Sequence, residues 1–420
     1  MIQRAILPLL AALAGAIMSL WLNAGSAEHV LSRDFINIWF DSDIGRVADN
    51  MTIRDEGHMA TFKHPIFSIT TYPLTSAARL LGLERETALA AVLALNAAVF
   101  MALFVTLLQR AGVRAQEQAL GAVLCLGSGG VVFWFGVPET FPFGATSVLA
   151  SILILDLARA RLDTGPAWPR WAVATALSLS MTITNIVAAF GAAALMLLRS
   201  SDWMRSLRVI LIGGTAGVIG LAVIAVVQDQ LFGDAGLFFN PRALIGETQF
   251  FASQLDTLLL GRLQTLFVQT VAVGPPMLVE GAPGTAGQFR VDARWPESGL
   301  GWMATLDWML LALVSLGLIA VHWRRMPPVV AICALYLLLN TIIHLIYGAA
   351  VFLYVAHFVG PLLIVILWGF AQKTEALNRA GSIALAVVAV MVMGSNIMTY
   401  RATMAAADAA YIAAAQEAAG

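Results

Sequence analysis

Three aspartates and two arginines are concentrated in one short segment near the N-terminus, residues 33–46. Only 12% of the 420 residues are charged, against about a quarter in soluble domains, so this cluster is the first candidate for chemistry. Asp43 and Arg46 stand three residues apart; such a carboxylate can act as a general base while the guanidinium group binds a phosphate. Asp34 and Asp41, seven residues apart, share one face if this segment is helical. In the alternative, the acids only cap helices in a solvated loop.

Four further polar side chains interrupt apolar stretches. His64 precedes Pro65, which extends its backbone and displays the ring at a helix start, where it could bind phosphate or assist proton transfer. Glu139 lies between two prolines at membrane depth and is expected to meet an arginine, because an unpaired acid there is costly. Tyr354 and His357 interrupt an apolar segment near its outer end, where polar groups are functional by default. A structural role stays the alternative for each.

Cations from a second long loop would complete a phosphate site. This loop contributes Arg242 and Arg262, as well as Arg290 and Arg294. The sequence contains no HExxH, Walker-type, CxxC or GxSxG motif, and no metal or cofactor is expected. The two cysteines stand in apolar runs and are expected to be core residues. Energy would therefore arrive with the substrate or from an ion gradient.

The elements that must position these side chains are apolar helices. Hydrophobic residues make up 60% of the chain and the mean hydropathy is +0.83, which only a lipid surrounding accommodates. The sequence therefore predicts an all-α polytopic membrane protein, a single membrane domain over residues 1–420 with about eleven transmembrane helices. The predicted spans are 4–24, 87–108, 117–136, 142–158, 170–184, 185–199, 206–228, 301–322, 328–346, 350–370 and 380–399. The first is interpreted as a retained helix, because its apolar run is longer than that of a signal peptide.

The distribution of cations sets the predicted orientation. With the N-terminus cytoplasmic, the short cytoplasmic connections carry 13 of the 24 Lys and Arg residues but only 5 of the 25 acids. The two long loops, 25–85 and 228–299, then lie outside, where long loops on a membrane scaffold usually carry function. We expect the chain in the inner membrane of a bacterium, with its working face in the periplasm.

The first outside loop is predicted to contain two interfacial helices. Ser42 is the expected N-cap of an amphipathic segment. The apolar side of this segment consists of Ile44, Val47, Ala48 and Met51, and the polar side of Arg46, Asp49, Asn50 and Arg54. Pro65 suits the first position of a second helix, residues 66–83. Both helices are expected to lie along the membrane surface.

Four motifs carry a resemblance to a known family. They are Asn37–Arg46, Lys63–Phe67, Pro138–Thr140 and Phe352–His357. Together with the many helices and the two long outside loops, they resemble the GT-C superfamily of integral-membrane glycosyltransferases, in architecture over essentially the whole chain. The chain lacks the adjacent Asp-Glu pair of the protein O-mannosyltransferases, so a glycan or a lipid is the expected acceptor.

The resemblance implies a sugar donor linked to a polyprenyl phosphate or diphosphate. Asp43 corresponds to the general base of the family, with Asp41 and Asp34 as rivals. Arg46, His64 and an arginine of the second long loop would hold the phosphate, and the transfer would be inverting and independent of metal. The expected partners are this donor, the acceptor and the bilayer; the net charge of -1 and the lack of a basic stripe argue against nucleic acid.

Two other functions stay open. A transporter or flippase of a lipid-linked or polar solute would have polar residues through the midplane and two matching halves. Here the midplane polarity is slight and the halves do not match in hydropathy. An acyl- or phosphotransferase that uses outside His and Asp residues is the third hypothesis.

Overall fold

Helices form most of the structure, a computed structural model of the chain. The described residues are 2–26, 38–162, 164–233, 235–236, 245, 259–279, 287–291, 294–348 and 350–419. Two of the predicted site residues, Asp34 and Arg242, lie outside the described residues.

Fifteen α-helices are described. They are α1 (Ile2–Ala24), α2 (Ile44–Thr52), α3 (Phe67–Leu80), α4 (Arg85–Arg110), α5 (Ala115–Gly127), α6 (Gly129–Val132), α7 (Thr140–Ala160), α8 (Trp168–Ser180), α9 (Val187–Arg199), α10 (Trp203–Leu231), α11 (Leu259–Gln264), α12 (Gly299–His322), α13 (Pro328–Ile346), α14 (Val355–Ala371) and α15 (Asn378–Ala419). Short 3-10 helices are His58–Phe62, Ile183–Ile186, Trp323–Arg325, Val351–Tyr354 and Glu375–Leu377, and Thr265–Gln269 is π-helical. Strands β1 (Met277–Val279) and β2 (Gln288–Arg290) pair antiparallel, with Leu278 opposite Phe289.

Among the described residues, 8 helices are long and apolar enough to cross a membrane. They are α1, α4, α7, α10, α12, α13, α14 and α15. The apolar span begins at Ala5 in α1, continues to Arg325 after α12, begins at Val351 before α14, and runs from Glu375 to Ala413 around α15. The chain is thus an all-α, multi-pass membrane protein. The predicted third, fifth and sixth spans correspond to α5, α8 and α9, which have 13 residues each, about 20 Å of helix. Each of these three helices is shorter than the hydrocarbon core of a bilayer, which is about 30 Å thick. The count of eleven transmembrane helices therefore stays a prediction.

At one end of the bundle, two buried acids form ion pairs with cations. Arg110 Nε, at the end of α4, donates to Asp156 of α7 at 2.6 Å. Glu117 of α5 is 2% exposed and accepts from Arg114 at 2.6 Å and from Lys373. We call this group of five residues the ion-pair end. The first long loop enters the structure at the opposite end, which we call the loop end.

Helix α2 lies at the loop end, and its packing confirms the predicted apolar face. The buried residues of that face are Ile44, Val47, Ala48 and Met51. The prediction that Ser42 caps the helix was wrong: Asp43 precedes the first helical residue, and Ser42 Oγ donates back to the Trp39 carbonyl. Asp49 and Asn50 were predicted on the polar side, yet each is 3% exposed, and Asp49 accepts from Arg85 at 2.7 Å. This pair joins α2 to the start of α4.

Glycines end two helices before the predicted position. Helix α3 ends at Leu80 because Gly82 adopts a φ of 92°, which a helix cannot continue. The third predicted span breaks after α5, where Gly129 N donates to the Val271 carbonyl at 3.1 Å. A Cβ atom on Gly129 would lie 2.6 Å from the carbonyl oxygen of Gln269, so only glycine lets the second long loop pack into this break.

The two long loops contact each other. The backbone N–H of Phe289 in β2 donates to the Ile38 carbonyl at 2.8 Å. The Phe40 ring packs between Phe289 and Phe352, with centroids 6.3 and 4.8 Å away. The hairpin of the second loop therefore lies against the first-loop turn that leads to the predicted aspartates.

Candidate functional site

A cavity of about 690 Å³ lies at the loop end. Its walls come from the first loop, the start of α7, the junction between α8 and α9, and the end of α13 with the turn that follows. The polar lining residues are Asp41, Ser42, Asp43, Arg46, Lys63, His64, Glu139, Thr182, Thr184, Tyr347 and Tyr354. The apolar ones are Ala60, Phe141, Ile183, Ile343, Ile346, Ala350 and Leu353. The structure therefore brings six of the predicted site residues to one space: Asp41, Asp43, Arg46, His64, Glu139 and Tyr354.

Asp43 and Arg46 form the ion pair that their spacing indicates. Arg46 Nη2 and Nε both donate to Asp43 Oδ2, at 2.7 and 3.2 Å. Helix α2 begins directly after Asp43, so its first turn places both side chains on the same side of the helix. The side chain of Asp43 is 46% exposed and that of Arg46 is 23% exposed. Both groups can therefore meet a ligand in the cavity without unfolding of the loop.

Asp41 lies in a left-handed turn. Phe40 and Asp41 have φ values of 55° and 64°, so the chain is not helical at Asp41, and the condition for a face shared with Asp34 is not met there. Burial raises the pKa of the Asp41 carboxyl, while the charge of Arg290 lowers it and that of Asp43 raises it. A cation of the second loop thus lies near a carboxylate of the first.

Glu139 is 2% exposed and stands directly before α7. Its Oε1 accepts from the backbone N–H and the hydroxyl of Thr140, at 2.7 and 2.9 Å, and its Oε2 lies 3.3 Å from the backbone N of Asp43. Among the described residues no arginine bonds to Glu139, contrary to the prediction, because Arg46 turns toward Asp43 instead. Burial first, and the Asp43 charge second, raise the pKa of Glu139 to about 7.

His64 presents a neutral ring to the cavity. Its Nδ1 lies 2.6 Å from the carbonyl oxygen of Met181. Burial lowers the pKa of His64 to about 3, and the charges of Arg46 and Lys63 act in the same direction. The ring is therefore uncharged at neutral pH, which differs from the cationic phosphate ligand that the sequence suggested.

Tyr354 lines the cavity, whereas His357 lies behind the wall. The Tyr354 ring stacks on the ring of His344, with centroids 3.8 Å apart. His357 is fully buried, packs against Phe141 at 5.5 Å, and has Gly144 against its ring. His357 thus supports the wall through Phe141, a cavity residue.

Arg262 also lies behind the cavity. It is 4% exposed, and its guanidinium group donates to the carbonyls of His344 at 2.9 Å and Gly348 at 3.2 Å. These contacts satisfy carbonyls at the end of α13, a role that any helix end requires. Arg262 therefore holds the turn that carries the cavity residue Tyr347.

Sequence reasoning did not place three of the polar lining residues at the site: Lys63, Thr182 and Thr184. The threonines carried a signal, because the fifth and sixth apolar runs are short and meet at this point of the sequence. Such a break inside a membrane segment is expected where backbone lines a cavity. Arg290 was one of the candidate cations of the second loop, but its approach to Asp41 depends on the hairpin, which the sequence did not indicate.

Comparison with known proteins assigns no family. No family model matches the chain, and no curated protein matches it. The functional argument therefore depends on the chemistry of the cavity.

Proposed function

We propose that the chain is an inverting glycosyltransferase of the GT-C type, which moves a sugar from a polyprenyl-phosphate donor to a glycan or lipid acceptor. The observation that carries this proposal is the cavity itself, in which carboxylates, cations and an apolar wall meet. A lipid-linked sugar has the matching parts: an apolar chain, an anionic phosphate and a hydroxylated ring. The GT-C resemblance of the sequence supports the same assignment.

The cations and the apolar wall support binding of such a donor. Arg46 and Lys63 line the cavity, and charge-assisted hydrogen bonds from these groups suit a phosphate. Ile343 and Ile346 line it from α13, a helix of membrane-spanning length, and Ile346 is 49% exposed. The isoprenoid chain would lie along this wall, with its phosphate toward Arg46.

The proposed reaction uses the exchange of one ion pair. An arriving phosphate competes with Asp43 for Arg46, which releases the Asp43 carboxylate to act as a general base. The acceptor hydroxyl oxygen attacks the anomeric carbon and transfers its proton to Asp43. The bond between the anomeric carbon and the phosphate oxygen breaks, and polyprenyl phosphate leaves with the electron pair. Arg46 then stabilises the charge that develops on this leaving group.

Asp43→Asn tests the base. The variant is expected to lose transfer by at least about 100-fold, the lower range for general base catalysis, while it still binds the donor. The measurement is release of polyprenyl phosphate from a polyprenyl-phosphate hexose by the purified protein. Asp55→Asn is the matched control, because Asp55 stands in the same loop with a side chain 80% exposed. Normal turnover by Asp43→Asn would reject the assignment.

The same assay separates the transferase from a transporter or flippase. Reconstituted in vesicles, a transferase releases polyprenyl phosphate and yields a glycosylated acceptor. Movement of the lipid-linked sugar across the vesicle membrane without release would reject the transferase and favour the flippase.

We also propose that the loop end faces the periplasm of a bacterial inner membrane. The cation bias of the sequence supports this orientation. A membrane-impermeant maleimide applied to spheroplasts should label Asp55→Cys at the loop end and leave Glu375→Cys, beside the ion-pair end, unlabelled. The reverse labelling pattern would contradict it.

A further inference from the structure

The backbone holds His64 firmly against the junction between α8 and α9. On one side, Ile183 N donates to the Lys63 carbonyl at 3.2 Å. On the other, Ile66 N donates to the Ser180 carbonyl at 3.1 Å. These two bonds flank His64 in the sequence, so the backbone that carries the ring is fixed against the junction.

The hydrogen bond to Met181 sets which ring nitrogen carries the proton. A carbonyl oxygen only accepts, so Nδ1 of His64, 2.6 Å from the Met181 oxygen, must be the donor. In a neutral imidazole the other nitrogen, Nε2, then carries a lone pair. Among the described residues Nε2 has no hydrogen-bond partner, although His64 lines the cavity. An acceptor therefore remains for a ligand.

The neighbours of the ring keep it in this neutral form. Arg46 and Lys63 both oppose a further positive charge on His64, as does burial. The oxygens of a phosphodiester carry no proton at neutral pH. A phosphate oxygen facing the Nε2 lone pair would therefore place two hydrogen-bond acceptors against each other. A hydroxyl group, by contrast, can donate to Nε2 while its oxygen accepts from a neighbouring cation.

We propose that His64 recognises a hydroxyl group of the carbohydrate substrate through Nε2. The proposal rests on the proposed function and deepens it: Arg46 and Lys63 bind the phosphate, and His64 binds a hydroxyl group of the sugar. The hydroxyl belongs either to the donor sugar or to the acceptor, and both are compatible with an Nε2 lone pair in the wall.

His64→Asn is the informative variant, because its side-chain amide can still donate to Met181 while the acceptor at the Nε2 position is lost. Binding of a polyprenyl-phosphate hexose and of polyprenyl phosphate would be measured with the purified protein. We expect the variant to bind the hexose donor about 10-fold more weakly, the worth of one hydrogen bond, and polyprenyl phosphate within twofold of wild type. His64→Gln is the counterpart, since it retains an acceptor near Nε2 and loses the bond to Met181.

The KM of His64→Asn for the acceptor, measured in the transfer assay, shows whether the hydroxyl belongs to the donor or to the acceptor. If donor binding is unchanged and the KM for the acceptor rises about 10-fold in the transfer assay, the hydroxyl is that of the acceptor, and the proposal stands. Equal weakening for both lipids, or no change in donor binding and acceptor KM, would overturn it.

Monodeoxy substrates give a readout in the wild-type protein, which needs no folded variant. One monodeoxy donor or acceptor should bind about 10-fold more weakly than the parent compound. Equal binding of the whole series would overturn the proposal. Wild-type protein that binds the donor with this selectivity but never transfers sugar would reject the proposed function and leave the role of His64 supported; protein that binds neither lipid would reject both.

Discussion

The two ends of the helical bundle bury charge in different ways. At the ion-pair end, Glu117 is held by Arg114 and by Lys373, whose side chain is itself only 5% exposed. At the loop end, Arg46 both binds the Asp43 carboxylate and lines the cavity, and among the described residues Glu139 accepts only from backbone and hydroxyl groups. In the first arrangement the acids and Lys373 are buried and paired, so it serves stability. The second keeps charges within reach of a ligand, so it suits chemistry.

Loss of the Glu117 carboxylate at the ion-pair end should have the largest effect on stability. Glu117→Gln leaves the buried ammonium group of Lys373 without its carboxylate, and breaking such a pair costs about 3 to 5 kcal/mol of unfolding free energy. Thermal unfolding in detergent should show this loss, with Glu375→Gln, an exposed acid nearby, as the control. Equal melting temperatures for the two variants would contradict the stabilising role of this end.

Glu139 should make stability depend on pH. Its folded pKa of about 7 exceeds the unfolded value of 4.5, so the folded state holds the proton more tightly. The unfolding free energy contributed by this group therefore falls as pH rises from 4.5 to 7, by on the order of 3 kcal/mol. Relative to wild type, Glu139→Gln should lose this dependence, measured as unfolding midpoints at pH 5 and 7.5.

The depressed pKa of His64 acts in the opposite direction, because stability from His64 is lost as pH falls from 6.5 toward 3. For this reason the Glu139 variant is compared with wild type at each pH. If the difference between the two proteins is the same at both pH values, the buried carboxyl does not titrate as inferred.

Arg46 should matter for binding more than for stability. Arg46→Gln removes a cation that lines the cavity, and we expect donor binding to weaken about 10- to 100-fold. Its pair with Asp43 is partly exposed, so the melting temperature should change little. Arg54→Gln, an arginine of the same loop with a side chain 58% exposed, is the control and should bind donor normally. Unchanged donor binding by Arg46→Gln would contradict this role of Arg46 and leave Lys63 as the candidate phosphate ligand.

The smallest effect is expected at the Asp41 turn. Asparagine tolerates the left-handed conformation and removes a partly buried charge, so Asp41→Asn should change the unfolding free energy by less than about 1 kcal/mol. Asp41→Ala keeps the turn strained and should be less stable than Asp41→Asn by about 1 kcal/mol. The same stability for both variants would show that the turn relaxes when the side chain changes.

Local spacing predicted part of the site, because some contacts depend only on the neighbouring turns. The pair between Asp43 and Arg46 follows from three residues of separation at a helix start. The buried face of α2 follows from its periodicity, and the long helices follow from hydropathy.

Contacts between distant segments could not be predicted in this way. The approach of Arg290 to Asp41 depends on a hairpin whose strands have 3 residues each, too short to stand out in the sequence. The break after α5 depends on the carbonyl of Val271, far along the chain. The arginine partner expected for Glu139 was wrong, because no nearby arginine in the sequence indicated which distant segment would reach this acid; among the described residues it accepts from Thr140 and from the backbone of Asp43.

The order in which the segments are synthesised matters for the cavity. The first loop is held by a backbone hydrogen bond from Phe289 to Ile38, and part of the cavity wall is formed around Tyr354. The N-terminal aspartates leave the ribosome long before the hairpin and the helices after α12 exist. Until those later segments insert, the cavity around Asp41 and Asp43 is incomplete. A product that terminates before these segments therefore lacks the cavity wall to which Tyr347 and Tyr354 belong.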